Sequence, residues 1–79
     1  MPVVPNITSS WSDQISVVEN EIWQCKAGTA ALTTEASPSD DDGILLKGYS
    51  GHAVTISAGR SVRIRSVSRE PAVVVREAF

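Results

Sequence analysis

The sequence predicts an all-β fold: a small β-sandwich or partly closed barrel of six to seven short antiparallel strands with an extended N-terminal arm. Residues 53–68, AVTISAGRSVRIRSVS, alternate apolar and polar side chains around a glycine turn, which is the period of a half-buried strand. Residues 15–34 are rich in β-branched side chains, which favour strands over helices. Short segments of this kind, separated by turn residues, are typical of sandwiches and barrels.

Residues 1–14 are expected to form an extended arm ahead of a single small domain at residues 15–79. Pro2 and Pro5 oppose regular strand pairing, and no hydrophobic period is visible in this stretch. Trp11 is the exception, because its large ring needs a surface to pack on. The edge of the domain itself and a neighbouring subunit are both candidates for that surface.

The first half of the domain is predicted to contain three strands, joined by short connections that include a tight turn at Gly28. These strands cover residues 14–18, 21–26 and 30–34. The spacing of the first apolar residues also fits a short helix at residues 12–19 with Ser12 as its N-cap, so the helix stays open as an alternative.

The second half of the domain begins with a loop at residues 37–43, where proline, serine, aspartate and glycine favour turns. Four further strands are predicted at residues 44–46, 54–57, 61–65 and 72–75. The middle two are expected to form a hairpin through a turn at Ala58 and Gly59, with one apolar and one polar face. Tyr49 lies in a turn between strands and is expected on the rim of the domain.

The short length of the chain indicates that it needs a further source of stability. Its 79 residues can bury only a thin core, and the entropy cost of ordering them, about 1.5 kcal/mol per residue, nearly cancels what such a core returns. Cys25 is the only cysteine, so no disulfide can form within the chain, and a lone thiol fits a reducing compartment. We therefore expect the protein to associate with its own copies or to dock on a larger assembly.

Charge is divided unequally along the chain. Residues 1–43 carry seven acidic and one basic side chain, whereas residues 44–79 carry two acidic and six basic ones, giving net charges of −6 and +4. Such a division allows acid-to-base contacts between copies. The same division also allows the two halves simply to offset each other within one molecule.

The acidic triplet at residues 40–42 is the first candidate site. A calcium loop alternates its ligands so that they converge on one ion, whereas these three carboxylates are consecutive and diverge. A solvated turn or an acidic patch that meets arginines of a neighbour is the favoured interpretation. A small metal-binding protein remains the weakest alternative function.

The remaining polar residues point away from catalysis. His52 is the only histidine and lies far from Cys25 in sequence, so the chain has no zinc-ligand pattern, and Cys25 is expected to be a small buried hydrophobe. Arg63 and Arg65 project from the polar face of one strand. They could meet an acidic protein surface, nucleic acid or solvent, and nucleic acid is disfavoured because the chain is net acidic and lacks aromatics between the arginines.

The stretch AGTAALTTEASPSDDDGILLKGYSGHAVTISAGRSVRIRS, residues 27–66, resembles small accessory structural proteins of tailed bacteriophages. Their recurring pattern is a strand, a loop rich in proline, aspartate and glycine, and then GxxVTIxAGxxVxxRS, which this chain matches at residues 51–66. The resemblance covers about half of the chain. It implies a β-rich component of the virion, present in many copies on the capsid surface or in the tail tip and spike base, with no catalytic residues.

We therefore expect a non-enzymatic virion protein without cofactors, assembled in the cytoplasm of the host bacterium, and most simply a capsid decoration or cement subunit that bridges neighbouring capsomers. Its expected partners are its own copies, for example in a trimer, and a larger virion protein such as the major capsid protein; no nucleic acid or membrane contact is expected. The candidate interface residues are Pro2, Val3, Val4, Pro5, Trp11, Asp40, Asp41, Asp42, Arg63 and Arg65.

The main alternative is a tail-tip or spike-base component that attaches to the host surface. In that case the expected contacts are Trp23, Tyr49 and His52.

Overall fold

Seven strands form two antiparallel sheets that pack face to face in the computed structural model, which describes residues 2–79. The strands are β1 Ile15–Ser16, β2 Glu21–Ala27, β3 Thr29–Thr33, β4 Ile44–Lys47, β5 Ala53–Ile56, β6 Ser61–Ser66 and β7 Val73–Ala78. A short 3₁₀ turn, Gly48–Ser50, follows β4. The all-β prediction is confirmed, and the sheets make a sandwich rather than a closed barrel.

The first sheet has the strand order β1-β6-β3-β4 and the second has the order β5-β2-β7. The core lies between them and is built from alternate residues of the central strands, because successive side chains of a strand point to opposite faces. Trp23 and Cys25 of β2 are fully buried, as is Ile64 of β6. Burying a large apolar side chain contributes about 1.5–3 kcal/mol, so these central strands carry most of the stability of the domain.

The predicted hairpin at residues 54–65 is wrong, because β5 and β6 belong to different sheets. β5 pairs with β2, whereas β6 pairs with β1 and β3. The connecting turn bonds instead to residues near the end of β1: the Gly59 N–H donates to the Val17 carbonyl at 2.8 Å, and the Val17 N–H donates to the Arg60 carbonyl at 2.9 Å. The apolar faces of both strands nevertheless point into one core. The period-two pattern therefore predicts the two strands and their buried faces correctly, but it does not predict their partners.

The alternative helix at residues 12–19 does not form. Ser12 is nevertheless a hydrogen-bonding residue, because its hydroxyl accepts the N–H of Ile64 at 3.0 Å and so bonds to a neighbouring strand. The predicted strand at residues 14–18 shortens to β1, since only Ile15 and Ser16 pair with β6. Within residues 2–79, no helix has the length and apolar character needed to span a bilayer.

Candidate docking surface

The N-terminal segment, residues 2–14, lies along the domain of its own chain. Its first part extends the three-stranded sheet: the Arg76 N–H donates to the Pro2 carbonyl at 2.9 Å, and the Val4 N–H donates to the Val74 carbonyl at 2.8 Å. Val4 is 3% exposed and belongs to the core, whereas Val3 points outward and is 58% exposed. The prolines therefore flank a short paired stretch.

The second part of the segment crosses to the other sheet. The chain turns at Asn6, which has a positive φ of 59°, a conformation that asparagine tolerates better than most residues. The Ser66 N–H then donates to the Thr8 carbonyl at 2.7 Å, and the Ser12 N–H donates to the Ile64 carbonyl at 2.9 Å. The segment thus covers the outer edges of both β7 and β6, and we call this the closed side of the sandwich.

Trp11 and Arg65 join the N-terminal segment to the acidic loop. The Trp11 indole N–H donates to the Ser39 carbonyl at 2.9 Å. The Arg65 guanidinium donates to the Ser9 carbonyl at 2.8 Å and to the Asp40 carbonyl at 3.1 Å, and it lies 5.8 Å from the centre of the Trp11 ring. These main-chain contacts fix the loop at the start of β4.

The acidic loop is a closed turn. The Ser39 N–H donates to the Asp42 carboxylate at 2.8 Å, and the Asp42 N–H donates back to the Ser39 carbonyl at 3.1 Å. The side chains of Asp40 and Asp41 are exposed. No group of three acidic, histidine or cysteine side chains able to hold a metal ion occurs among residues 2–79.

Both arginines that were predicted to face outward contact the N-terminal segment. Arg63, like Arg65, bonds to it on the closed side. Its Nη1 donates to the Ser12 carbonyl at 3.0 Å. Its Nε is buried without a hydrogen-bond partner among the described residues. Both arginines therefore hold the N-terminal segment in place, a role that the alternation of residues along β6 alone does not indicate.

A partly buried ion pair lies at the start of β2, and sequence reasoning missed it. Arg76 Nε donates to the Glu21 carboxylate at 2.7 Å, Arg76 Nη2 donates to its second oxygen at 3.0 Å, and the Trp23 indole N–H donates to the same carboxylate at 2.9 Å. The Arg76 guanidinium stacks 4.9 Å from the Trp23 ring. Hydrogen bonds from Arg76 lower the pKa of Glu21 against the opposing effect of its burial. The one feature of the sequence that indicates this ion pair is that Glu21 lies on the same face of the strand as Trp23 and Cys25.

His52 and Cys25 are neighbours in the sheet but do not form a reactive pair. Their main chains bond, with the Cys25 N–H donating to the His52 carbonyl at 3.0 Å. The His52 imidazole accepts the Lys47 N–H at Nδ1, and the Cys25 thiol donates to the Ala27 carbonyl at 3.2 Å. Burial raises the pKa of this thiol. Cys25 is fully buried, which confirms the prediction of a small buried hydrophobe.

The opposite side of the sandwich is open, and we define the open side as the outer edges of β4 and β5 with the groove between them. Each strand pairs with only one neighbour among residues 2–79, β4 with β3 and β5 with β2. The groove has a volume of about 390 Å³ and is lined on its apolar walls by Leu32, Ile44, Val54, Ile56 and Val62.

Large apolar side chains are exposed at this side. Ile44 is 50% exposed at the mouth of the groove, and Leu45 is 54% exposed on the outer face of the sheet. Tyr49, in the turn that follows β4, is 82% exposed. Neighbouring half-exposed apolar residues beside an unpaired strand edge are typical of a surface that another strand or protein covers.

The main-chain hydrogen-bonding groups of β4 are available at Leu45. In an antiparallel pair, successive residues point their N–H and C=O groups alternately toward and away from the partner. The Gly48 N–H donates to the Gly28 carbonyl, so Gly48 points toward β3, and Lys47 points away and bonds to His52. By the same alternation, the N–H and C=O of Leu45 also point away from β3.

Eight of the ten predicted interface residues thus fall in two places on the closed side. Trp11, Asp40, Arg63 and Arg65 come together around the N-terminal segment, and residues 2–5 lie apart from them along β7. The acidic loop leads directly into β4, so Asp41 and Asp42 border the open side. Sequence reasoning missed Ile44 and Leu45 as surface residues, because an apolar run reads as core.

Comparison of the chain with protein-family models, with curated protein sequences and with solved structures found no match in any of the three.

Proposed function

We propose that this protein is a non-enzymatic structural subunit that acts by docking on other protein subunits. In the setting that the resemblance to phage accessory proteins implies, it is a capsid decoration subunit of a virion. The observation that carries the proposal is the open side, where two unpaired strand edges flank an apolar groove. An association partner would cover these two strand edges, as the N-terminal segment covers the edges of β6 and β7 on the closed side.

The energetics of a chain this small favour such a role. The groove leaves Ile44 half-exposed although it lies on the core-facing side of β4, as Leu46 does. Each Å² of apolar surface removed from water contributes about 25 cal/mol. A partner that fills the groove would therefore complete the core, and many copies on a shell would sum modest individual contributions.

Attachment at a tail tip or spike base is the second candidate function. Tyr49 favours it, because an aromatic side chain that is 82% exposed on a short turn is suited to stacking on an external ligand. His52 is exposed and follows the same turn, whereas Trp23, the third expected contact, is fully buried, so that part of the expectation is wrong. The two candidates differ in where the protein lies on the particle.

The proposal is tested by quantitative mass spectrometry and cryo-electron microscopy of particles purified from cells that carry the coding sequence. A decoration subunit is expected in numbers comparable with the major capsid protein and as density on the head. A few copies at the tail would favour the second candidate. Complete absence from purified particles would overturn the virion role.

A further inference from the structure

We propose that a second copy of this chain covers the open side, with β4 of one copy pairing antiparallel with β4 of the other about a two-fold axis. The inference rests on the proposed docking role of the open side and names its partner. The result is a symmetric dimer in which the two four-stranded sheets continue into each other.

Hydrogen bonding limits where the pairing can occur. At the end of β4, the Lys47 N–H donates to His52 Nδ1 at 3.2 Å, and the Lys47 carbonyl accepts the His52 N–H at 3.2 Å. That end of the edge is therefore already covered. Leu45 retains an outward N–H and C=O, so the free part of the edge is the first half of β4, and the two-fold axis must pass close to Ile44 and Leu45.

The apolar side chains fit this arrangement. A two-fold axis at this position places Ile44 and Leu45 of one copy beside the same residues of the other. Side chains that are 50% and 54% exposed in one chain would then be covered on both copies. Directly opposed and diagonal pairs of this kind are the main side-chain contacts that stabilise sheets.

The order of charges along β4 selects the antiparallel arrangement of two copies. Asp41 and Asp42 precede the strand and are separated from it by Gly43, and Lys47 ends the strand. Antiparallel pairing brings the acids of each copy near the lysine of the other, once at each end of the interface. Parallel pairing would bring acids beside acids and lysine beside lysine, which is unfavourable.

Sedimentation velocity of the full chain over a range of concentrations tests the dimer. The wild-type protein is expected to shift reversibly between one and two copies. Leu45→Lys places a charge at the axis and is expected to raise the dissociation constant by about tenfold or more. Val3→Lys introduces the same side chain at an apolar position of the closed side that is 58% exposed, and is the matched control that should leave the dissociation constant unchanged.

A charge exchange tests the orientation. Lys47→Glu is expected to weaken the dimer, and the double variant Asp41→Lys, Lys47→Glu is expected to restore it, because the attraction is re-formed with reversed signs. Failure of the double variant to restore binding would contradict antiparallel pairing. Circular dichroism of each variant checks that the β-sandwich is retained.

Hydrogen exchange locates the interface independently of any substitution. The Leu45 amide is expected to exchange quickly at low protein concentration and to become protected as dimer forms. A chain that stays monomeric, forms a trimer, or dimerises without protecting Leu45 overturns the inference. If the protein is a monomer in solution but is found on purified particles, the dimer is overturned and the proposed function stands. If it forms the Leu45-paired dimer but is absent from particles, the proposed virion role is overturned and the dimer stands.

Discussion

At the scale of single residues, the Glu21 carboxylate shows how this small core accommodates a charge. It is 8% exposed, and it accepts hydrogen bonds from both Arg76 and the indole of Trp23. The side chain of Arg76 is 24% exposed, so the pair is partly buried, and removing one partner is destabilising because the other charge is left without compensation. The pair therefore fixes the ends of β2 and β7 relative to each other.

Glu21→Gln is expected to lower the free energy of unfolding by about 1–3 kcal/mol at pH 7, because the guanidinium of Arg76 loses its counter-charge. The hydrogen bonds from Arg76 hold the pKa of Glu21 below its ordinary value in the folded protein. The stabilisation is therefore complete above the unfolded carboxyl pKa of about 4.3 and is lost as the pH falls through the folded value.

Urea denaturation of the wild type and of Glu21→Gln at pH 7 and at pH 3 measures this difference. The difference between the two proteins should shrink at the lower pH. Glu77→Gln, an exposed carboxylate on the neighbouring strand, is the control and should change stability little at either pH. Equal losses for Glu21→Gln at both pH values would contradict the role given to the ion pair.

Two adjacent valines test whether the N-terminal segment is docked in solution. Val4→Ala should cost about 1–3 kcal/mol, because Val4 lies in the core at 3% exposure. Val3→Ala removes the same atoms from a side chain that is 58% exposed, so it should cost less than about 0.5 kcal/mol. Thermal or urea unfolding measures both; equal effects would indicate a segment that is free of the domain.

At the scale of elements, the connections between strands differ from expectation more than the strands do. Strand propensity and turn residues located β2, β3, β5 and β6 to within one or two residues, and the alternation of apolar and polar residues identified the buried faces of β5 and β6. It could not identify partners, because a strand with one apolar face can pair within its own sheet or pack across the core. At the β5–β6 connection, the Asn20 side chain accepts the Ala58 N–H at 2.9 Å. This bond holds the turn against the β1–β2 connection.

Substitution of the glycines in two connections is expected to lower stability by different amounts. A Cβ added at Gly48 would meet the backbone of Ala27 at 2.6 Å, because the turn after β4 crosses directly over the end of β2. Gly48→Ala should therefore cost about 3 kcal/mol through overpacking against an immobile backbone. Gly59 has a φ of +88° and nothing within 4 Å of the added atom, so Gly59→Ala should cost about 1 kcal/mol from backbone strain alone.

The midpoints of urea denaturation measure both glycine substitutions. A smaller loss for Gly48→Ala than for Gly59→Ala would show that the turn after β4 is not held against β2 as described.

At the scale of the whole molecule, the sandwich has one covered and one uncovered side. Residues 2–12, which are expected to reach a neighbour, form main-chain hydrogen bonds with β7 and β6 of their own chain. Sequence reasoning identified this segment as special because of its prolines and Trp11. It could not place the segment, because its anchoring depends on main-chain hydrogen bonds to strands more than fifty residues away, which leave no local pattern.

The acidic first half and the basic second half of the chain contact each other in the folded molecule. Arg65 from the basic half contacts the acidic loop through the Asp40 carbonyl, and Arg76 neutralises Glu21. The carboxylates of Asp40 and Asp41 remain exposed next to β4. Part of the asymmetry is thus offset within one molecule, and the rest lies beside the edge that we propose another copy covers.

The central claim is that this short chain completes its core by pairing with a second copy. The most direct test is the thermal unfolding midpoint, Tm, at protein concentrations from about 1 to about 100 µM, since binding that favours the native state makes Tm depend on concentration. We predict a rise of about 5 °C or more across this range, and its loss in Leu45→Lys. A sharp transition at the same Tm at every concentration would show a self-sufficient monomer and contradict the account.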